Sequence, residues 1–253
     1  MATIFEKFCN ERKAYINPED TTKPIPGFPK ACVTTFSANV LEDFISDQNA
    51  AVIAKLYSAN GELPVYEISY KGEKVGLFLS RVGGPACAVG LEEVIALGAK
   101  RIVQFGNCGV LQQEIVKNKI VIPSSAVRDE GTSYHYLPPS GEVSMDPDMI
   151  RLIEKCLQRF EIPYIVGKTW TTDGIYRETK SRIEERKREG CLTVEMECAS
   201  SLAVAKFRNI SFLPFLFGAD NLDADTWEPN DLTDYGKAFG NKYMFIALEC
   251  AIA

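Results

Sequence analysis

The chain has 253 residues, of which 46% are apolar and 25% charged, and this balance is typical of a globular protein with a sizeable buried core. Its formal net charge of −6 is spread along the chain, so we expect neither nucleic acid nor a membrane as a partner. The apolar runs are too short to span a bilayer, and the N-terminus lacks the apolar segment of a secretory signal, which predicts a cytoplasmic protein.

The first 30 residues are rich in proline and polar residues and predict an extended arm that docks on the body of the protein or on a neighbouring chain. Further along, the spacing of apolar residues over 146–160 predicts an amphipathic helix that Asp146 caps and Pro147 begins. In chain order the predicted elements are strand 31–36, helix 40–45, hairpin 64–80 turning at Lys71 and Gly72, helix 84–100 stopping at Gly98, strand 101–111, strand 119–127, helix 146–160, strand 164–172, helix 178–190, a strand-to-helix segment 191–207, strand 211–220 and helix 232–253.

Strands alternate with helices from residue 65 to the end of the chain. This alternation predicts an α/β protein, a three-layer α/β/α sandwich with a mixed central β-sheet. Neither a repeat nor a linker interrupts the pattern, so we expect a single domain over 31–253, preceded by the arm over 1–30.

Eight cysteines raise the question of disulfides or a metal site. No two of them form a C-x-x-C pair, and several lie in apolar stretches such as "PACAVGL". His135 is the single histidine, which argues against a zinc site built on histidines. We therefore expect reduced thiols in the core and no bound metal.

Polar clusters follow several of the predicted strands, and ligands of open α/β sheets bind at such strand ends. One cluster alone is weak evidence, because a polar residue after a strand is usually a cap or a turn. Four of them in one domain predict a convergent cleft. They are "FGNCG" (105–109), "TTDGIYRET" (171–179), "VEMECAS" (194–200) and "GADNLDADTW" (218–227).

Two glutamates, Glu195 and Glu197, flank a methionine in "VEMECAS". A carboxylate at a strand end can accept hydrogen bonds from both hydroxyls of a cis-diol such as ribose. The alternative is a carboxylate that caps a helix N-terminus, which explains one of the two glutamates more easily than both.

Asp220 follows a strongly apolar strand, where a carboxylic acid can act as a general acid. The alternative is a residue that stabilises a turn.

Residues 128–140 combine aromatic and polar side chains and suggest either a loop that closes over a flat ligand or a packed surface loop. The stretch "SRVGGPACA" (80–88) could hold an anion on backbone N–H groups or form a tight turn, and it lacks the glycine spacing of NAD or ATP sites.

These motifs, in this order, resemble the nucleoside phosphorylase family, in the branch of hexameric purine nucleoside and uridine phosphorylases. "GGPACAVGLEEVIALGAKRIVQFGNCGVL" is similar to the family's glycine turn, helix and strand, and "VEMECAS" to its Val-Glu-Met-Glu-Ala motif. The resemblance covers about residues 31–250. It implies a nucleoside phosphorylase-like sandwich, a homo-oligomer (a dimer or a trimer of dimers) and no cofactor, with inorganic phosphate as co-substrate beside the nucleoside.

The resemblance also implies residue roles. Glu197 binds the ribose hydroxyls, Met196 packs against the sugar and Glu195 orders the site, while Asp220 protonates a purine at N7. The resemblance places Phe105, Asn107, Cys108, Gly109, Tyr176 and Arg177 against the base and sugar.

Where the family binds phosphate, this sequence departs from the pattern. Asn39 and Gln104 stand near the places of two family arginines, and Asn107 stands where the family has a serine or threonine. The arginine that the neighbouring subunit contributes in the family, expected near residues 60–61, is missing. Either other residues bind phosphate, or water replaces it as in nucleosidases, although no acid in "ACVTTFS" would activate that water. The replacement candidates are Arg81 with Gly83, Gly84 and Asn107, and more distantly Arg12, Arg128 and Arg177. A uridine phosphorylase and a non-catalytic nucleoside binder remain further alternatives.

Overall fold

The computed structural model describes residues 2–234, 236 and 239–253. Ten strands lie within this part of the chain: β1 (Ala31–Thr35), β2 (Ala51–Ser58), β3 (Gly61–Tyr70), β4 (Glu73–Leu79), β5 (Arg101–Val110), β6 (Ile120–Asp129), β7 (Glu142–Ser144), β8 (Tyr164–Thr172), β9 (Cys191–Glu195) and β10 (Ser211–Asn221). The same residues form eight α-helices: α1 (Pro18–Thr21), α2 (Ala38–Ser46), α3 (Gly84–Leu97), α4 (Gln113–Val116), α5 (Pro147–Arg159), α6 (Lys180–Arg188), α7 (Cys198–Arg208) and α8 (Gly240–Ile252).

The strands form one mixed sheet around which the helices pack. Its order runs β2-β3-β4-β1-β5, after which β5 pairs with β10 in parallel and with β9 in an antiparallel contact. The remaining strands are neighbours in the order β10, β6, β8 and β9. Since both ends of this row, β10 and β9, pair with β5, this half of the sheet curls back to β5. Helices α3 and α7 pack together on one face, and α2, α5 and α8 contact one another on the other. The mixed central sheet between helices confirms the predicted fold class.

Local sequence explains where the main helices begin and end. The Asp146 side chain accepts a hydrogen bond from the N–H of Asp148 at 2.8 Å and caps α5, as the sequence predicts. Helix α3 lies between two glycines, Gly83 (φ +92°) and Gly98 (φ +138°), whose backbone angles are unfavourable for other residues. The hairpin turn lies at Lys71 and Gly72, also with positive φ, as the sequence predicts.

The sequence missed β2, which occupies residues 51–58 at the edge of the sheet. Most of its side chains are exposed, so the strand carries no clear alternation of apolar and polar residues. At the C-terminus, the helix predicted over 232–253 begins at Gly240, and residues 232–234 form a 3₁₀ turn instead. Residues 235, 237 and 238 of that prediction lie outside the described residues.

The N-terminal arm docks on the body of its own chain. The Phe5 ring packs edge-on against Tyr134 at 4.8 Å, and the Arg12 guanidinium lies 4.2 Å from the centre of the Phe207 ring. All eight cysteines are free thiols and all but Cys9 are buried, in agreement with the sequence. None of the described helices combines the length and the apolar character needed to cross a membrane.

Candidate active site

All four polar clusters meet in a cleft of about 240 Å³ at the ends of β1, β5, β9 and β10. Parallel pairing of β5 with β1 and with β10 brings the ends of these three strands to one edge of the sheet. The cluster 171–179 contributes Ile175 and Glu178, which follow β8. Lining the cleft are Thr35, Phe36, Ser37, Val82, Gly106, Asn107, Cys108, Gly109, Ile175, Glu178, Val194, Glu195, Met196, Glu197, Phe217, Asp220 and Leu232.

Glu195 ends β9 and is buried beneath the cleft. One carboxyl oxygen accepts hydrogen bonds from the N–H groups of Glu197 (2.7 Å) and Cys198 (2.6 Å), at the start of α7. The other accepts from the hydroxyl of Thr171 on β8. Glu195 therefore satisfies backbone donors that a helix N-terminus leaves free, which is the capping role considered from the sequence.

Glu197 connects the start of α7 to the glycine turn that precedes α3. Its Oε1 accepts a hydrogen bond of 2.6 Å from the N–H of Gly83, in the glycine turn between β4 and α3. The next residue, Gly84, lies so close to α7 that an added Cβ would be 3.0 Å from the Ser200 hydroxyl and 3.2 Å from that of Thr132. The turn thus packs tightly against α7, and the N–H of Gly83 is already bound to a carboxyl group.

Burial raises the pKa of both glutamates. Burial, and secondarily the charge of Glu195, raises the pKa of Glu197 to about 8. Burial raises the pKa of Glu195 to about 7, although its hydrogen bonds with Thr171 and the backbone oppose the shift. A protonated Glu197 can donate one hydrogen bond to a sugar hydroxyl and accept another.

Asp220 lies at the end of β10, just after an irregularity in the pairing of β10 with β5. Its Oδ2 accepts a hydrogen bond of 2.8 Å from the indole N–H of Trp227. Its Oδ1 faces Gly109, where an added Cβ would be 3.4 Å away. A second cavity of about 550 Å³ shares Asp220 and Phe217 with the cleft, so this carboxyl lies at the junction of two openings.

Glu178 is a lining residue that the sequence did not single out. Burial, followed by the charge of Asp220, raises its pKa to about 7. Glu178 belongs to the cluster 171–179 that the sequence predicts. An acidic residue within a predicted site cluster is therefore the signal by which the sequence could have identified it. The cleft thus brings together four carboxyl groups from different elements: Glu178, Glu195, Glu197 and Asp220.

Comparison with known proteins identifies the family. Residues 30–243 match the model of the phosphorylase superfamily. This chain belongs to the phosphorylase superfamily. The cleft lined by carboxyl groups at the ends of β9 and β10 is therefore the candidate active site of a member of this superfamily.

Relatives and solved structures agree with this membership. The chain is 31% identical over 154 residues to a purine nucleoside phosphorylase of Plasmodium falciparum (isolate 3D7), a match that covers 60% of this chain and 63% of that protein. It is 28% identical over 186 residues to a purine nucleoside phosphorylase DeoD-type 2 of Vibrio cholerae serotype O1, covering 73% and 78%. The match to the first of these relatives spans less than two thirds of its length.

A solved uridine phosphorylase from Vibrio fischeri ES114 has a TM-score of 0.75 against this superfamily member. The likeness covers 92% of this chain and 96% of that one, at 18% sequence identity. At this identity the likeness shows the fold alone, and it establishes the nucleoside phosphorylase-like sandwich expected from the sequence.

Some of the sequence-predicted site residues line the cleft of this superfamily member, and others do not. Asn107, Cys108, Gly109 and Met196 line it, as do Glu195, Glu197 and Asp220. Phe105 does not: its side chain is 2% exposed and stacks on Phe215 in the core, with ring centres 5.4 Å apart.

The residues predicted after β8 also differ from the expectation. Tyr176 is 96% exposed, and Arg177 is exposed beside it. Both lie in a 3₁₀ turn (Ile175–Arg177) whose first residue, Ile175, lines the cleft in their place.

The arginines considered as phosphate ligands lie away from the cleft. Arg81 faces Glu93 at 3.8 Å, and Arg12 stacks on Phe207. Arg128 is buried and donates to the Ser133 hydroxyl (2.7 Å) and to the Pro138 carbonyl (2.7 Å). Among the described residues that line the cleft there is no lysine, arginine or histidine, and the neutral donors Thr35, Ser37 and Asn107 stand on the side of β1 and β5.

Arg128 also decides between the two interpretations of residues 128–140. Its guanidinium lies 3.8 Å from the centre of the Tyr134 ring, whose hydroxyl donates to the Arg128 carbonyl. The segment is therefore a packed surface loop and not a cover for the cleft. Across the described residues, no group of histidine, cysteine, aspartate and glutamate side chains is arranged to hold a metal ion.

Proposed function

We propose that this protein cleaves the N-glycosidic bond of a purine ribonucleoside with inorganic phosphate, and releases the free base and ribose 1-phosphate. One observation carries the proposal: Asp220, at the end of β10, and Glu197, at the start of α7, line one cleft together with Met196. A sugar-binding carboxyl and a proton donor for the base are the two groups that this cleavage needs on the nucleoside side.

In this reaction Glu197 hydrogen-bonds the ribose hydroxyls while Met196 packs against the sugar. Asp220 gives a proton to N7 as the bond from C1′ to N9 breaks, so the electron pair of that bond leaves with a neutral base. A phosphate oxygen then forms the new bond to C1′. Phe217 and Ile175, which also line the cleft, offer apolar surface for the base.

The purine assignment is supported by Asp220 and by the names of the Plasmodium and Vibrio cholerae relatives. A carboxylic acid placed to protonate a ring nitrogen suits a purine, whose N7 carries the developing charge. Uridine is the alternative base, because the motifs of the sequence also resemble those of uridine phosphorylases.

Hydrolysis is the second candidate reaction, and the charge of the cleft favours it. Phosphate usually binds where arginine or lysine side chains offer charge-assisted hydrogen bonds. The described lining residues carry four carboxyl groups and no cation. Water, which is neutral, needs no such partner.

We further propose a homo-oligomer, either a dimer or a trimer of dimers. Apolar side chains are exposed on β2, the glycine turn and α3, as expected for a surface that a second subunit covers: Val52, Tyr57, Val82 and Val89.

The remaining proposals concern the environment of the reaction. We propose a cytoplasmic protein without an organic cofactor, and the eight free thiols support a reducing compartment. We also propose one catalytic domain over residues 31–253 that is preceded by the arm.

A product assay tests the reaction. Inosine, guanosine, adenosine and uridine are each incubated with and without phosphate, and free base, ribose and ribose 1-phosphate are measured. Phosphate-dependent release of a purine base with ribose 1-phosphate is the expected result. Release of base and free ribose without phosphate would establish the hydrolase, and binding without turnover would contradict both.

A further inference from the structure

Trp227 touches the proposed acid directly. Its indole N–H donates to Asp220 Oδ2 at 2.8 Å, across a loop of only seven residues. An indole is a hydrogen-bond donor only, so the oxygen that it contacts must present a lone pair. The other oxygen, Oδ1, lies on the side of Gly109, which lines the cleft.

The loop that carries Trp227 is closed at its base by a short antiparallel bridge. The backbone N–H of Asn221 donates to the carbonyl of Glu228 (2.9 Å), and the N–H of Glu228 donates back (3.1 Å). The side-chain amide of Asn221 also donates to the carboxylate of Glu228 at 2.7 Å. Trp227 is adjacent to this bridge, so its indole is held at a defined distance from the end of β10.

A second set of contacts fixes the far side of the same loop. The carboxylate of Asp223 pairs with Lys187 on α6 at 2.6 Å and accepts a hydrogen bond from the backbone N–H of Gln113 at 2.8 Å. Lys180, also from α6, donates to the Asp225 carbonyl. The loop is thus tied to two helices, although its residues lie largely at the surface.

We propose that Trp227 is a positioning residue, which holds the carboxyl of Asp220 so that the proton lies on Oδ1 and faces the N7 of the bound purine. The inference rests on the proposed role of Asp220. In a carboxylic acid the carbonyl oxygen is the stronger acceptor. The Trp227 N–H therefore selects Oδ2 as the carbonyl and leaves the acidic hydrogen on Oδ1, the oxygen beside Gly109.

The same hydrogen bond strengthens as the reaction proceeds. Before proton transfer the N–H donates to a neutral carboxyl group, and afterwards it donates to a carboxylate. Hydrogen bonds to a charged acceptor are roughly twice as strong as neutral ones. Trp227 thus stabilises the state after proton transfer more than the state before it, which lowers the barrier rather than only improving substrate binding.

Trp227 can be replaced without removing core packing. Its side chain is 58% exposed, whereas Trp170, the other tryptophan, is fully buried at 0%. Trp227→Phe removes the N–H and keeps an aromatic ring. Trp227→His keeps a ring N–H on a smaller side chain, and Tyr15→Phe, at a fully exposed position of the arm, is the matched control.

The experiment compares two substrates, inosine and 7-methylguanosine. The second carries a methyl group and a positive charge at N7, so its base leaves without a proton from the enzyme. For Trp227→Phe we expect kcat with inosine to fall about tenfold or more, as for loss of a hydrogen bond to a charged group, with KM within about twofold. Turnover of 7-methylguanosine should stay at the wild-type rate, and Trp227→His should recover part of the lost rate with inosine.

An equal loss with both substrates would show that Trp227 acts only on the structure of the loop and would overturn the inference. An unchanged rate with inosine would overturn it as well. In either case a wild-type protein that cleaves both nucleosides would leave the proposed function standing. A wild-type protein that cleaves neither substrate would instead reject the proposed function, and the inference with it.

Discussion

The two sides of the cleft are built from different chemistry. On the side of β9 and β10, buried carboxyl groups are fixed by the backbone: Glu195 by the start of α7, and Glu197 by the N–H of Gly83. On the side of β1 and β5, the described lining residues are neutral, with Thr35, Ser37 and Asn107 as hydrogen-bond donors. We call the side of β9 and β10 the nucleoside side, and the side of β1 and β5 the nucleophile side.

This difference shows which part of the reaction the chain prepares in advance. The hydrogen bonds on the nucleoside side exist without a ligand, so sugar and base meet groups already oriented for them. The nucleophile side offers hydrogen bonds but, in the described part of the chain, no opposite charge for a phosphate dianion. Under the proposed function, the nucleoside side binds sugar and base, and the nucleophile side receives the phosphate or water.

The largest expected effect is on the nucleoside side. Asp220→Asn should lower kcat for inosine by about two to four orders of magnitude, the usual scale for loss of a general acid. Steady-state rates with 7-methylguanosine serve as the internal control, because that base needs no proton. A variant as active as the wild type on inosine would remove Asp220 from the mechanism.

A smaller loss is expected when the sugar contact is removed. Glu197→Ala should reduce kcat/KM for inosine by about ten- to a hundredfold, since a hydrogen bond to a charged or polarised partner is lost. The rate with 2′,3′-dideoxyinosine, which lacks both hydroxyls, should change little. Glu114→Gln, at an exposed acid on α4, is the control for general effects of charge. Equal losses on both nucleosides would mean that Glu197 only supports the glycine turn.

On the nucleophile side, two substitutions should separate a lining residue from a distant cation. Asn107→Ala should raise the KM for phosphate by about tenfold if its amide donates to that ion. Arg81→Ala should leave the same KM within about twofold, because its guanidinium faces Glu93. Phosphate titrations at saturating inosine measure both. A large effect of Arg81→Ala alone would place the phosphate near the glycine turn instead.

The smallest effect is expected on stability. A glutamate in the unfolded chain has a pKa near 4.3, whereas burial raises the pKa of Glu197 to about 8 in the folded protein. Between these values the folded state binds more protons than the unfolded state, so stability falls as pH rises from about 5 to 8. Glu197→Gln should reduce this fall in Tm by a few degrees, measured by thermal unfolding at each pH. An identical slope in both proteins would show that Glu197 is ionised throughout.

Much of the nucleoside side could be predicted from sequence, because strand ends and their polar residues are local features. The rule that ligands of α/β sheets bind at strand ends was enough to predict that "VEMECAS" and Asp220 line one cleft. That rule does not say how far below the cleft each residue of a strand lies. Phe105 stands two residues before Asn107 on β5, and that distance places its ring in the core against Phe215.

Other features depend on tertiary contacts that leave no periodic pattern. The 3₁₀ turn after β8 directs Ile175 inwards and Tyr176 outwards, and a turn of three residues has no apolar face to read from sequence. The contact of Trp227 with Asp220 likewise requires the bridge between Asn221 and Glu228. Strand β2 was missed because an exposed edge strand need not alternate.

Gln104 limits how a cation could be added to this part of the sheet. It stands on β5, it is buried, and its amide donates to the Cys87 thiol at 3.3 Å. That thiol also contacts the hydroxyls of Ser80 and Ser201, so neutral groups fill the space around it. An arginine introduced by a single substitution would enter this packed cluster with a buried charge, at a high cost in stability. An arginine at position 104 would therefore require at least one accompanying change in the cluster, so a cation cannot be added to this part of β5 by a single tolerated substitution.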